Sequence, residues 1–102
     1  MAQPRTDLQA ILEEILGSSN VYFQPPESQV MQYPAIVYNR DRSFRHDADD
    51  KRYLLSKGYQ VTYLDWDPDS PVLDALEALP YCSFVRHYVS DGLNHDVFLI
   101  YF

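Results

Sequence analysis

The hydrophobic pattern changes its period in the middle of the chain. Residues 59–66 are rich in β-branched and aromatic side chains that alternate along the chain, which favours a half-buried strand. Farther on, the period becomes that of a helix, whose apolar stripe consists of Val72, Leu73, Leu76 and Leu79. Ser70 suits the N-cap position and Pro71 the first helical turn. This stretch therefore predicts a strand, a turn and a helix that ends at Pro80.

An amphipathic helix is also predicted near the start of the chain. Its apolar positions recur at helical spacing and are Leu8, Ile11, Leu12, Ile15 and Leu16. Thr6 and Gln9 have the spacing of a capping box, and Gly17 suits the left-handed residue that follows a helix. Glu13 and Glu14 lie off the apolar stripe, so we expect them at the surface.

Four further segments have the composition of strands. Residues 21–24 are a short extended piece, and residues 35–38 are a continuous apolar run that suits a buried strand. Residues 83–89 and 96–102 are joined through Asp91-Gly92, a strong hairpin signal. The helix at 71–79 would cross over the sheet and bring 83–89 parallel to 59–66.

The elements predict one α+β domain over residues 1–102. Its order is αβββαββ, with two helices on one face of a mixed, mostly antiparallel sheet of four to five strands. If residues 35–38 pair antiparallel with 59–66, residues 39–58 form a long charged loop. This loop holds most of the basic residues, and its candidates for docking a partner are Arg40, Arg42, Phe44, Arg45, Lys51 and Arg52.

Both alternating sets of residues in 97–102 are apolar. Two helices some 15 Å long can cover only about one face of such a sheet, so we expect a large apolar patch on the other face. Monomers rarely expose such a patch. We therefore expect the chain to associate with copies of itself, and the candidate subunit contacts are Phe98, Ile100 and Phe102.

The charge and composition exclude several classes of protein. A formal net charge of −7 repels phosphate backbones and argues against a freely acting nucleic-acid-binding module. No stretch has the roughly 20 apolar residues of a membrane span, and the first residues lack the apolar run of a signal peptide. Cys82, the single cysteine, fits a reducing compartment. We expect synthesis and folding in the cytoplasm, with no membrane contact.

The polar residues give weak signals of catalysis or metal binding. A solvated charge run is a better interpretation than a metal site for His46, Asp47, Asp49 and Asp50. His87, His95 and Asp96 could serve a small nuclease, but packing and hydrogen bonding on a sheet are commoner roles. Cys82 has no basic neighbour that would activate its thiol. We expect no enzyme activity, no metal site and no cofactor.

Several strings of residues together resemble a known family. They are QPPES followed by YPAIVY, the strand that ends in DPDS, then LPYCSFVRHY, and finally LNHDVFLIYF. The chain resembles the small tail completion or tail terminator proteins of long-tailed bacteriophages over roughly four-fifths of its length. The resemblance implies a virion structural protein that forms a ring, a hexamer in this family, at the head-proximal end of the tail tube.

The same resemblance implies the partners of the protein. They are other copies of the chain, the tail tube protein, and the head connector or head-closure protein. DNA would pass through the ring without specific binding, since acidic walls repel phosphate, and candidate channel-lining acids are Glu13, Glu14, Asp67 and Asp69. The alternatives are a minor capsid or head-closure protein of the neck, a binding module unrelated to phages, and the small nuclease.

Overall fold

The computed structural model describes residues 4–41, 58–80 and 82–102. Within these residues the elements are α1 (Arg5–Leu16), β1 (Val21–Phe23), β2 (Ala35–Arg40), β3 (Gly58–Asp65), α2 (Val72–Glu77), β4 (Cys82–Ser90) and β5 (Leu93–Tyr101). The predicted α+β class and the order αβββαββ are confirmed.

The five strands form one sheet in the order β1-β2-β3-β5-β4. β1 pairs parallel to β2, and the other three pairings are antiparallel. β2 and β3 pair as predicted, and their ladder extends to Arg40 opposite Tyr59. β4 runs in the same direction as β3, as the predicted crossover requires, but β5 lies between them. The sheet therefore has two edges, the short β1 and the nine-residue β4.

The main core lies between the sheet and both helices. Leu8 and Leu12 of α1 and Leu76 of α2 are almost fully buried. They join one cluster with alternate residues of the strands, which are Val21, Ile36, Tyr38, Tyr59, Val61, Tyr63, Phe98 and Ile100. Burial of each large apolar side chain contributes roughly 1.5–3 kcal/mol. Because one cluster contains residues of both helices, both lie on the same face of the sheet, called the helix face below.

Among the described residues, the opposite face does not form the large apolar patch that the sequence predicted. Val97 and Leu99 point to this face, yet only 2% and 8% of their surfaces are exposed. At one end of it Ala35, Leu64 and Leu93 form a second buried cluster, against which Tyr22 and Val37 pack. The predicted patch is therefore absent at these described positions, and the exposed apolar surface lies elsewhere.

Neither helix begins at the residue that its capping signal indicates, since α1 begins earlier and α2 later. α1 begins at Arg5, so Thr6 is inside the helix and the predicted capping box does not form. Gly17 has a φ of 80° and ends α1 as predicted, donating its N–H to the carbonyl of Glu13. α2 is shorter than predicted, but Ser70 Oγ does accept the backbone N–H of Val72 at 3.3 Å.

The turn between β4 and β5 has two residues. Asp91 and Gly92 have φ angles of 55° and 77°. Positive values at both central positions match the type I′ turn, whose twist suits a two-residue hairpin. The strands therefore extend closer to the turn than predicted, to Ser90 on one side and from Leu93 on the other.

Candidate functional site

β4 is an edge strand whose side chains are mostly in solvent. Every residue from 83 to 90 is exposed, in contrast to β5, which is buried along most of its length. The large apolar side chains and their exposed fractions are Phe84 49%, Val85 42%, Tyr88 42% and Val89 56%. Edge strands offer unpaired backbone groups to other chains, and natural proteins usually protect them. β4 is therefore the surface of the described molecule best suited to contact another protein.

The apolar side chains of β4 project from both faces of the sheet. Phe84 lies opposite Phe98 and contacts it edge to face, with ring centroids 5.6 Å apart on the helix face. A register shift follows between Phe84 and Arg86. Tyr88 then stacks on His95 at 4.6 Å on the opposite face. A partner that covers β4 would thus contact two faces and an edge.

The β1 edge is closed by neighbouring residues. The side-chain amide of Gln9 donates to the carbonyl of Val21 at 3.0 Å, and the N–H of Val21 donates to Ser19 at 2.8 Å. Gln9 is held in place by the hydroxyl of Tyr38, which donates to Gln9 Oε1 at 2.5 Å. Arg5 Nη1 donates to the same hydroxyl at 2.8 Å. The two edges of the sheet therefore differ, since α1 covers one and the other is exposed.

A network of hydrogen bonds joins the turn after β3 to the start of β5. Asn94 Nδ2 donates to the carbonyls of Asp65 and Trp66 at 3.1 and 3.2 Å, and its Oδ1 lies 3.1 Å from His87 Nε2. The hydroxyl of Tyr63 donates to Asp65. Burial, and then this bond to Asp65, raise the pKa of Tyr63. The network holds the chain in place where three elements meet.

The histidines and the aspartate of the nuclease alternative do not all lie on one face of the sheet. His87 is opposite Asp96 on the helix face, whereas His95 points to the other face, where it stacks on Tyr88. Burial raises the pKa of Asp96, and the two histidines oppose that shift. Within the described residues, no group of three or more histidine, cysteine or acidic side chains could hold a metal ion.

Cys82 is the first residue of β4 and is partly buried. Burial, together with the nearby negative charge of Glu77, raises the pKa of its thiol to about 11. The thiol is therefore protonated at neutral pH and is a poor nucleophile.

An apolar pocket of about 370 Å³ opens between α1, the residues that follow α2 and the end of β5. Its walls are Leu8, Ile11, Leu79, Pro80, Ile100, Tyr101 and Phe102. Phe102, one of the three predicted subunit contacts, lines this pocket and is partly exposed. The other two, Phe98 and Ile100, are 0% and 1% exposed in the core under the helices. α1 and α2 cover this side of β5, so Phe98 offers no surface to a neighbouring subunit and Ile100 is reached only from the pocket.

The remaining predicted site residues lie at separate places. Arg40 is the exposed last residue of β2, while Arg42, Phe44, Arg45, Lys51 and Arg52 fall outside the described residues. Glu14 is exposed on α1, and its neighbour Glu13 accepts a bond from Gln9 at 2.9 Å. Asp67 and Asp69 are exposed in the turn after β3. None of the helices in the described ranges is long and apolar enough to cross a membrane.

Sequence reasoning missed β4 as the exposed surface. A signal was present, because Phe84-Val85 and Tyr88-Val89 are adjacent apolar pairs, which place apolar side chains on both faces of a strand. The same signal occurs in residues 97–102, where it marks burial. The exposed β4 and the buried β5 are distinguished only by their positions in the sheet, since β4 is at the edge and β5 is inside it.

No protein-family model, curated protein or solved structure matches this chain.

Proposed function

We propose that this protein is the subunit of a ring at the head-proximal end of the tail of a long-tailed bacteriophage. In the virion neck the ring ends the tail tube and joins it to the head connector or head-closure protein. The observation that carries the proposal is β4, a long edge strand with exposed apolar side chains on both faces. A monomer with such a surface is prone to associate, and an assembly subunit uses it.

The chemistry of the described residues favours assembly over catalysis. The polar side chains of β5 alternate between the two faces, so that Asp96 and His95 lie on opposite sides of the sheet. Hydrogen bonds within the fold occupy His87 and Asn94. The exposed surface of β4 is apolar and aromatic, which is typical of protein interfaces.

The family resemblance of the sequence supports this particular assembly. The string LPYCSFVRHY, one of those that carry the resemblance to tail completion proteins, contains most of β4. The net charge of −7 suits a ring through which DNA passes, because an acidic channel repels phosphate and lets the duplex slide. Glu13, Glu14, Asp67 and Asp69 remain the candidates for its wall.

The first test is the mass of the purified protein in solution. Native mass spectrometry and light scattering at high protein concentration should detect a closed ring, with six copies as the expected number. Electron microscopy of labelled protein mixed with tails should then place the ring at the head-proximal end. A protein that stays monomeric at high concentration, or that never binds tails, would contradict the proposed function.

A further inference from the structure

We infer that the contact between neighbouring subunits is head to tail, with the tip of β4 inserted into the apolar pocket of the next copy. The residue at the tip that would enter the pocket is Val89, the most exposed large apolar residue of β4. The pocket is the one between α1, the residues that follow α2 and the end of β5. This inference rests on the proposed ring and specifies how its subunits meet.

The tip and the pocket lie at opposite ends of the hairpin. Cys82 pairs with Ile100, a pocket residue, whereas Val89 pairs with Asn94 near the turn. Seven residues of strand separate these two points, a distance of roughly 23 Å. The longest dimension of the molecule is 41 Å. Two different, well-separated surfaces that fit each other form a heterologous contact, which repeats with rotation and can close into a ring.

The charges of β4 itself and of the helices are complementary. β4 carries Arg86 and His87 and contains no acidic residue, and Asp91 lies in the turn beyond it. The exposed charged residues of α1 and α2 are all acidic, and they are Asp7, Glu14, Asp74 and Glu77. Like charges would repel two β4 strands placed side by side, whereas β4 against the helices of another copy brings opposite charges together. This complementarity favours a second copy of the chain as the occupant of the pocket.

The two edges of the sheet disfavour a simpler mode of assembly. A ring built by extending one continuous sheet would need β4 of one copy to pair with β1 of the next. Gln9 and Ser19 already bind the backbone groups of Val21 there. Pairing of β4 with β4 is possible, but it is two-fold symmetric and consumes the edge in a dimer.

Cysteine crosslinking tests the contact directly. In a Cys82→Ala background, the pair Val89→Cys and Ile11→Cys in one chain should form disulfides between subunits on mild oxidation. The two positions are too far apart within a subunit, since disulfides need Cα atoms within about 7 Å. Denaturing electrophoresis without reductant should show a ladder of covalent oligomers up to the ring number. Either single cysteine should give no ladder, and native mass spectrometry should confirm that each variant forms the wild-type ring before oxidation.

The outcomes separate this inference from the proposed function. A ladder from the double variant alone supports the head-to-tail contact. Efficient dimers from Val89→Cys alone would show β4 paired with β4 and overturn it. A ring of normal mass with no crosslink would overturn the contact and leave the ring intact. A protein that is monomeric before oxidation, including the Cys82→Ala parent and the wild type, would overturn both.

Discussion

Asp96 is a carboxyl group that the fold buries in β5, with Tyr63 opposite on β3 and His87 opposite on β4. Only 7% of the residue is exposed. Burial penalises the charged form and raises the pKa above its ordinary value of 3.8, and the positive charge of protonated His87 or His95 reduces that rise. The folded state therefore binds this proton more tightly than the unfolded chain does.

The substitution Asp96→Asn should stabilise the protein at neutral pH. The contribution of Asp96 favours folding most below pH 3.8 and is lost as the pH rises through the higher folded-state pKa. The variant avoids that loss, so its stability advantage should grow as the pH rises over this range and be largest at neutral pH. Urea unfolding at several pH values measures it.

The matched control is Asp69→Asn, which changes an exposed carboxylate in the turn after β3. Its effect on the free energy of unfolding should stay within about 0.5 kcal/mol. An advantage of Asp96→Asn that is equal at all pH values would show that the buried charge is not its cause.

At the scale of single residues, Gln9 shows that hydrogen-bond partners distant in the chain cannot be predicted from the sequence. Its spacing from Thr6 fits a capping box, a local rule. In the fold, its amide is instead bound to Tyr38 and Val21, residues 29 and 12 positions away. The hydrogen bonds to distant residues form in place of the local capping box. For the same reason no sequence pattern separates Asp96 from the exposed aspartates.

At the scale of elements, the β4–β5 hairpin depends on its two-residue turn. Gly92 has a φ of 77°, and a Cβ added there would come no nearer to another residue than 3.9 Å, at the ring of Trp66. Space is therefore sufficient, and Gly92→Ala should cost only the left-handed conformation, roughly 1–2 kcal/mol. Thermal or urea unfolding measures this cost, and Asp91→Asn should be nearly neutral because asparagine tolerates positive φ. A neutral Gly92→Ala would contradict the type I′ turn.

α2 has six residues and is attached to the core mainly through Leu76, which is 0% exposed. Truncation at this position leaves a cavity between both helices and the sheet. Leu76→Ala should therefore lower the free energy of unfolding by about 2–5 kcal/mol. Asp74→Ala, on the exposed side of the same helix, should change it by about 0.5 kcal/mol or less. If the two variants lost equal stability, α2 would not be a core element.

The elements themselves could largely be predicted, because each has a local cause. The helical stripe of α1, the alternation of β3 and the Asp91-Gly92 turn are all local signals and all form. The solvent exposure of β4 could not be predicted, since β4 and β5 have similar patterns of apolar residues. Their difference arises because β5 pairs with both β3 and β4, while β4 has one described neighbour in the sheet. That pairing is a property of the whole chain.

At the scale of the whole molecule, the exposed charged residues of α1 and α2 are acidic, whereas β4 carries Arg86 and no acidic residue. If a neighbouring subunit brings its β4 against the helices, Arg86 should lie near their acidic residues. One of these is Glu77, the last residue of α2, two positions before the pocket residue Leu79. Arg86→Glu should then weaken association about fivefold at low salt, equivalent to about 1 kcal/mol. High salt should reduce the difference, because it screens exposed charges.

Arg86 also stacks on Tyr88 at 5.3 Å within its own subunit, so the loss in Arg86→Glu combines two causes. The reciprocal variant separates them. Glu77→Arg alone should weaken association, whereas the double variant Arg86→Glu with Glu77→Arg should recover the part that comes from charge between subunits. Sedimentation of the four proteins at low and high salt measures this recovery. If the double variant associates as weakly as the two single losses predict by addition, the two residues do not meet, and the basic strand contacts some other surface of its neighbour.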